Sequence, residues 1–357
     1  MATDDRTEPI DWGIEGGYLD GLGQWREPDA EVTDLLQQAM GRPTGRALVV
    51  VRPGDVVPLG PGDLALEDGT SLTVGDVLPN DLPLGYHHHH GTSGTTNVIV
   101  SPGRCHLPAE LHSWGVTAQL YAALSSKSWG IGDLGDLRHL IDWARERHAG
   151  VVGLNPLHAP TPLPHPSDSP YSPSSRRFRD PLYLAMEDIP GANTVEGWSD
   201  ALRAGRELSA GGRIDRTAVW AHKRRVLEQI WATRTRDADE FHRFRVDGGP
   251  DLEAWGTFCA LADHHGTGWP QWPDEHRHPD HPAVARFARD HADRVGFWSW
   301  LQWLLDTQLA ASGAGDVVIA DLAVGFAADG FDAWQWQDLL AEGVRIGAPP
   351  DPLGREG

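Results

Sequence analysis

The sequence contains little lysine and little cysteine, and acidic residues are in excess. Only two of its 30 basic residues are lysines, Lys127 and Lys223, and 51 acidic residues bring the formal net charge to −21. Such a charge argues against a nucleic acid or an anionic membrane surface as the partner. Cys105 and Cys259 form no C-x-x-C pair, so we predict neither a zinc site nor a disulfide framework.

Long apolar runs are absent as well. No stretch reaches the ~18 apolar residues of a membrane-spanning helix. The first residues lack the basic and apolar segments of a signal peptide, so we expect a soluble, cytoplasmic protein. Tryptophan, in contrast, is abundant: there are 16, against 5 tyrosines and 8 phenylalanines. Flat rings can stack on sugars, but we expect most of these to lie in the core.

The first two regions differ in their patterns. Residues 1–44 contain one short helical pattern, EVTDLLQQAMG, which ends at Gly41. Residues 45–112 hold short apolar runs separated by Gly, Pro and Asp, and Asp68-Gly69 is typical of a hairpin turn. We predict a helical segment followed by a small β-sandwich domain.

Four consecutive histidines, His87–His90, fall in the second region. We expect this run to lie in a solvated loop. A weak, adventitious metal site is the alternative, although strictly adjacent residues form a poor tetrahedral cage.

Residues 113–357 are predicted to alternate buried strands with amphipathic helices. This pattern predicts a parallel sheet. We therefore predict an α/β fold: an incomplete TIM (β/α)8 barrel with about the first three βα units and a helical insertion at about 190–300. The expected strands are GVTAQLYAAL, VVGLNPL and DVVIADLAVG, and the expected helices are DLGDLRHLIDWARERH with Asp133 as N-cap, WSWLQWLLDTQLAA and WQWQDLLAEG ending at Gly343.

The loop after the second strand, HAPTPLPHPSDSPYSPSSRRF, has the densest set of functional side chains. Prolines stiffen its backbone, and its hydroxyl and guanidinium groups can bind a polar ligand. Tyr171, between two prolines, is held stiffly enough to stack on a sugar ring. An equally good interpretation is a surface loop whose Arg176-Arg177 pair forms salt bridges.

Two further places carry candidate carboxylates. Asp321 follows an apolar strand, where barrel enzymes place active-site residues, although it could simply cap the next turn. Asp351 projects from the stiff segment GAPPD, which by itself favours a plain turn. Asp332 and Asp338 are expected at solvated positions.

Several common catalytic motifs are missing. The sequence has no phosphate-binding glycine loop, no G-x-S-x-G and no H-E-x-x-H. These absences disfavour nucleotide enzymes, serine hydrolases and zinc enzymes.

The motifs SWGIGDLGDL, LNPLHA, SDSPYSPSSRRFRDPLY, DLAVG and GAPPD, in this order, resemble the 4-α-glucanotransferase family, the amylomaltases or disproportionating enzymes of the α-amylase superfamily. The N-terminal region resembles the extension of the family's actinobacterial branch. The sequence departs from the family pattern in two places. It has Asp180-Pro181 where the family usually has Asn-Pro, and Ala-Asp-Leu-Ala around Asp321 where many members have Gly-Asp-Leu-Pro.

The resemblance implies an intracellular enzyme that transfers a segment of an α-1,4-glucan to the 4-hydroxyl of another glucan or glucose, in maltodextrin, starch or glycogen metabolism. The chemistry is a retaining double displacement without cofactor or metal. The implied partners are α-1,4-glucans, from maltose to starch or glycogen chains, and neither nucleic acid nor membrane. The implied substrate-binding residues are Ser169, Tyr171, Asp321, Gly347 and Asp351, whereas Trp129 and Asp133 are expected to be structural.

The family has three catalytic carboxylates: a nucleophilic Asp, an acid/base Glu and a third Asp. By the resemblance, all three would come after Gly357. The resemblance therefore implies no catalytic carboxylate within these 357 residues, and we expect this chain alone to be inactive. The alternatives are a non-catalytic glucan-binding remnant and another α-glucan enzyme, such as a trehalose-forming hydrolase; the latter does not account for SPYSPSSRRF.

Overall fold

The structure is a computed structural model. It describes residues 14–41, 47–52, 55, 59–79, 81–92, 94–106, 113–165, 167–233, 239–315, 317–340 and 347–355. The chain divides into two compact units, one of residues 1–111 and 341–357 and one of residues 112–340. The sequence-based domain limits, which place 341–357 in the barrel region, stay a prediction.

The first unit begins with a short hairpin and the predicted helix. Strands β1 (Tyr18–Leu19) and β2 (Trp25–Arg26) pair antiparallel. Helix α1 (Ala30–Met40) ends at Gly41, whose φ of 68° is a backbone conformation that glycine adopts without strain. The helical pattern in residues 1–44 is therefore confirmed.

This unit also contains a five-stranded sheet, in the order β3-β7-β6-β4-β5. Strands β3 and β7 are parallel and the other pairs antiparallel, and buried aliphatic side chains cover one face. The structure thus describes one sheet here and does not confirm the two-sheet sandwich. The strands are β3 (Ala47–Val51), β4 (Gly62–Ala65), β5 (Ser71–Val74), β6 (Gly85–Gly91) and β7 (Gly94–Val100).

The Asp68-Gly69 turn joins β4 to β5, as predicted. Asp68 Oδ1 accepts hydrogen bonds from the backbone N and the Oγ1 of Thr70, at 2.9 and 2.6 Å. Gly69 takes a φ of 86°. The side-chain bonds and the glycine together close the turn.

The second unit has a parallel sheet of three strands in the order β12-β9-β8. Strand β9 is central, and the three strands of this sheet lie side by side in the order in which they occur along the chain. The strands are β8 (Gly115–Ala118), β9 (Val151–Leu154) and β12 (Val318–Ala320); a hairpin of β10 (His158–Ala159) and β11 (Ser175–Arg179) extends beyond β9.

Helices form most of the regular secondary structure of this unit. Helix α2 starts with a complete capping box, in which Asp133 and Asp136 each accept a hydrogen bond from the other's backbone N–H. Helix α5 is broken at Gly249, before Pro250. The helices are α2 (Leu134–Glu146), α3 (Trp198–Glu207), α4 (Arg216–Thr233), α5 (Asp239–His265), α6 (Asp274–Arg277), α7 (Pro282–Asp290), α8 (Ala292–Ala311) and α9 (Phe331–Gln335).

Two elements begin or end at residues other than those predicted from the sequence. GVTAQLYAAL is a strand only over Gly115–Ala118, followed by a 3-10 turn at Leu120–Ala122. The helix expected over WQWQDLLAEG begins earlier, at Phe331, and continues as a 3-10 turn at Gln337–Leu339; its expected end at Gly343 lies outside the described residues.

Tryptophan is mainly a core residue here, as expected. Trp129 is buried against Trp198, with ring centroids 5.6 Å apart, and so has a structural role. The buried tryptophans are Trp129, Trp220, Trp231, Trp255, Trp272, Trp298, Trp300 and Trp334.

Candidate functional site

The candidate site forms where the three parallel strands end. The carboxyl ends of parallel strands meet at one edge of a sheet, which gathers the residues that follow them. Asp321 follows β12, and its backbone N donates to Leu154 O on β9 at 2.9 Å. Asp321 therefore keeps the strand's register and has a fixed backbone.

Asn155 ties the other two strand ends together. Its buried side chain accepts a hydrogen bond from Leu120 N at 2.7 Å, just beyond β8. The amide nitrogen donates to Pro156 O at 2.8 Å and to the Tyr183 hydroxyl at 3.0 Å. One amide side chain thus fixes the starts of two loops.

The proline-rich loop is held at its far end by Asp332. This buried carboxylate accepts hydrogen bonds from Ser175 Oγ at 2.7 Å and from Arg176 N at 2.9 Å. Next to it, Ser174 Oγ accepts from Phe331 N at 2.8 Å. The prediction of a solvated Asp332 is wrong, because its partners lie 156 and 157 residues away in the sequence. Asp338 is exposed, as expected.

Tyr171 reaches Asp321 from this loop. The Tyr171 hydroxyl donates to Asp321 Oδ2 at 3.0 Å, and this bond to a carboxylate raises the pKa of Tyr171. Ser169 Oγ accepts from Tyr171 N at 3.3 Å. Three of the five predicted binding residues therefore meet, and we call Ser169, Tyr171 and Asp321 the strand-end surface.

The strand-end surface is open to a ligand. The Tyr171 side chain is 51% exposed, and both Ser169 and Asp321 are exposed. A hydroxyl, a carboxylate and an aromatic ring within one patch provide hydrogen-bond donors, acceptors and a stacking face. Such a set suits a ligand rich in hydroxyl groups.

The segment after Asp321 is fixed by two basic side chains. Arg176 Nη1 donates to Val324 O at 3.0 Å, and His158 Nε2 accepts from Ala323 N at 3.4 Å. Burial and the nearby Arg176 lower the pKa of His158, which favours the neutral ring that this acceptor role needs. Arg177 instead pairs with Asp251, so one member of the arginine pair forms a salt bridge.

A small cleft lies beside Ser169. Its walls include His158, Asp180, Tyr183 and Arg216. Loss of hydration raises the pKa of Asp180 to about 6, although Leu182 N donates to its Oδ1 at 2.9 Å. A carboxyl group with this pKa is only partly ionised in mildly acidic solution.

Gly347 and Asp351 belong to the first unit. There Asp351 Oδ1 accepts hydrogen bonds from Leu353 N at 2.7 Å and Gly354 N at 2.6 Å, which close a local turn. These hydrogen bonds fit the interpretation of Asp351 as part of a plain turn. A role of either residue toward a ligand stays a prediction.

Sequence reasoning overlooked Asn155 and His158, and it misjudged Asp332. A signal existed for Asn155, which directly follows an apolar strand just as Asp321 does. His158 and Asp332 carry no such local signal, because their roles depend on partners distant in sequence.

Two general features hold over the described ranges. No group of three or more His, Cys, Asp or Glu side chains there has an arrangement suited to a metal ion. In the same ranges, every helix is too short or too polar to cross a membrane.

Comparison with known proteins places these features in a family. A family model described as 4-alpha-glucanotransferase matches residues 118–357. The 4-alpha-glucanotransferase of Mycobacterium tuberculosis is 43% identical over 309 residues, which cover 79% of this chain and 42% of that protein. The Haemophilus influenzae 4-alpha-glucanotransferase is 33% identical over 325 residues, covering 81% of this chain and 46% of that protein.

Solved structures agree with this match. Amylomaltase from Corynebacterium glutamicum superposes with a TM-score of 0.65 at 28% identity, covering 97% of this chain and 58% of that one. Streptococcus agalactiae amylomaltase, solved with acarbose, gives a TM-score of 0.54 at 16% identity, covering 64% and 46%, and supports the fold alone. The chain spans less than half the length of these two curated relatives.

Proposed function

Because the chain belongs to the 4-alpha-glucanotransferase family, we propose that it acts in the transfer of α-1,4-glucan segments between sugar chains. We propose further that it binds these glucans at the strand-end surface, through Ser169, Tyr171 and Asp321. The observation that carries this is the 3.0 Å hydrogen bond from the Tyr171 hydroxyl to Asp321. That bond joins two family motifs, SPYSPSSRRF and DLAVG, at one exposed edge of the sheet.

The fold supports the proposal. Strands β8, β9 and β12 are parallel and lie side by side in the order in which they occur along the chain, as the first three strands of a (β/α)8 barrel would. Barrel enzymes bind substrates at the carboxyl ends of their strands, which is where the strand-end surface lies. The partly formed barrel thus remains our proposal for the architecture.

The proposed chemistry is a retaining double displacement. Such reactions use two carboxyl groups about 5–5.5 Å apart, one as nucleophile and the other as acid/base. We assign Asp321 to neither role, because the family resemblance matches it to an acidic residue that shapes the sugar site and is neither nucleophile nor acid/base. Its proposed part is to bind and orient a sugar ring, with Ser169 and the ring of Tyr171. Gly347 and Asp351 are proposed as further glucan contacts, on the family resemblance alone.

Titration with maltoheptaose tests the binding proposal. We expect the 357-residue chain to bind it measurably at millimolar concentration and Tyr171→Ala to weaken binding at least about tenfold, since stacking and hydrogen bonds are both lost. Tyr86→Ala is the matched control, because Tyr86 is 66% exposed and lies in the other unit. Equal heats for all three proteins, or no heat at all, would remove the strand-end surface as the glucan site.

The expectation that the chain by itself is inactive stays a prediction. Incubation of the purified 357-residue protein with maltotriose tests it, with glucose and longer maltodextrins as the readout. Release of these products would show that a catalytic carboxylate pair lies within these residues.

A further inference from the structure

The histidine run is a strand, and the prediction of a loop is wrong. His87–His90 occupy the middle of β6, which pairs with β4 on one side and β7 on the other. Side chains alternate between the faces of a strand. His87 and His89 are accordingly buried, at 2% and 1% exposure, whereas His88 and His90 are exposed.

The two exposed histidines share one face and one orientation. His88 Nδ1 lies 2.9 Å from Asn97 Oδ1, and His90 Nδ1 lies 3.1 Å from Thr95 Oγ1, both on β7. An amide oxygen only accepts, so Nδ1 of His88 donates, and in the neutral ring the lone pair then lies on Nε2. The Thr95 hydroxyl can accept from His90 in the same way. Among the described residues, no hydrogen bond occupies Nε2 of either ring.

This arrangement is the one in which histidine binds metals. Metal-ligating imidazoles typically donate their other N–H to an oxygen, which fixes the tautomer and the ring orientation. Residues two apart on a strand lie about 6.5–7 Å apart on the same face, so two long imidazole side chains can reach one ion. Asp63 lies directly opposite His90 in the β4–β6 pairing and adds negative charge at this face.

We propose that His88 and His90 chelate one divalent transition-metal ion through their Nε2 atoms, with water completing the coordination. Two imidazoles with oxygen ligands suit the tetragonal preference of Cu²⁺ or Ni²⁺. A structural zinc ion takes four protein ligands, and the described residues present no group of three or more suited to a metal. The site therefore binds an exchangeable ion from solution.

The buried pair is excluded from this site. His87 Nδ1 accepts from Glu67 N at 3.2 Å, and its Nε2 lies 2.9 Å from Pro83 O, so both ring nitrogens are occupied. His89 faces the apolar side of the sheet, opposite Leu64 in the β4–β6 pairing. Four adjacent histidines therefore provide only two ligands.

Titration of the full chain with CuCl2, followed by electron paramagnetic resonance, tests the proposal. We expect an ion with two nitrogen ligands in the unmodified protein and loss of that signal in His88→Asn and in His90→Asn. Asn97→Ala retains both ligands but loses the fixed tautomer, and should weaken binding about tenfold, the lower end for such outer partners. Circular dichroism confirms that each variant is folded.

The matched control is the double variant His106→Asn/His139→Asn, which removes two exposed histidines outside the run. It should retain the two-nitrogen signal in full. The proposal is overturned if this control loses the signal as fully as His88→Asn does, which means adventitious binding at scattered histidines only. It is equally overturned if the His88 and His90 variants bind Cu²⁺ as the unmodified protein does.

Discussion

At the scale of single residues, the site depends on side chains whose charge is set by their surroundings. Asp180 shows this best, because its carboxyl group is poorly hydrated while its one backbone donor, Leu182 N, is 2.9 Å away. The result is a pKa of about 6 against an ordinary value of 3.8. A raised carboxyl pKa means that the folded state binds the proton more tightly than the unfolded state does.

The raised pKa of Asp180 makes stability fall with rising pH. Below about pH 4, Asp180 is largely protonated in both the folded and the unfolded protein, and its burial costs the folded state least. As the pH rises from 3.8 to about 6, the contribution of Asp180 to the free energy of unfolding is lost. Asp180→Asn retains the acceptor for Leu182 N without the charge. We expect it to raise the free energy of unfolding at pH 8 by about 1–3 kcal/mol, and to change it little at pH 4.

Urea denaturation at both pH values measures this difference. Asp142→Asn is the control, because Asp142 is exposed and its removal should leave the free energy of unfolding unchanged within about 0.5 kcal/mol. A gain for Asp180→Asn of the same size at pH 4 and pH 8 would contradict the assigned cause.

At the scale of elements, the proline-rich loop is positioned by both of its ends. Asn155 fixes the backbone after β9, and Asp332 on α9 fixes the start of β11. Between them the loop brings Tyr171 to Asp321, beyond β12. Prolines reduce the entropy that this ordering costs. The loop is therefore preorganised for a ligand by residues that do not touch the ligand.

Removal of the Asp332 carboxylate tests this anchoring. Asp332→Ala leaves the buried Ser175 hydroxyl and Arg176 N–H without their acceptor, and hydrogen bonds to charged groups contribute about 1.5–3 kcal/mol each. We expect a loss of about 2–4 kcal/mol in the free energy of unfolding, measured by urea denaturation. Asp338→Ala, at an exposed position six residues after Asp332, should cost less than about 0.5 kcal/mol. Similar losses for both variants would refute the anchoring role.

At the scale of the whole chain, local sequence patterns predicted helices and strands but not the contacts between residues that are distant in sequence. Helix α2 was predictable because Asp133, its N-cap, and its apolar spacing lie in one short segment. The three parallel strands were predictable as apolar runs, and Asp321 from its place after one of them.

The remainder depended on tertiary partners. Four identical histidines show no alternation of polarity, so only pairing with β4 and β7 makes them a strand with two faces. The local sequence favours a solvated position for Asp332. Only the folded chain places the Ser175 hydroxyl, 157 residues away, within hydrogen-bond distance of its carboxylate. The five-stranded sheet likewise depends on which strands meet, which turn signals do not specify.

Joint action of Tyr171 and Asp321 on a glucan is tested most directly by a double-mutant cycle. Maltoheptaose affinity is measured by calorimetry for the unmodified chain, Tyr171→Phe, Asp321→Ala and the double variant. Because each single change breaks the same 3.0 Å bond, we expect both to weaken binding and their effects to be non-additive by about 0.5–3 kcal/mol. Strictly additive effects, or unchanged affinity in both single variants, would contradict the account.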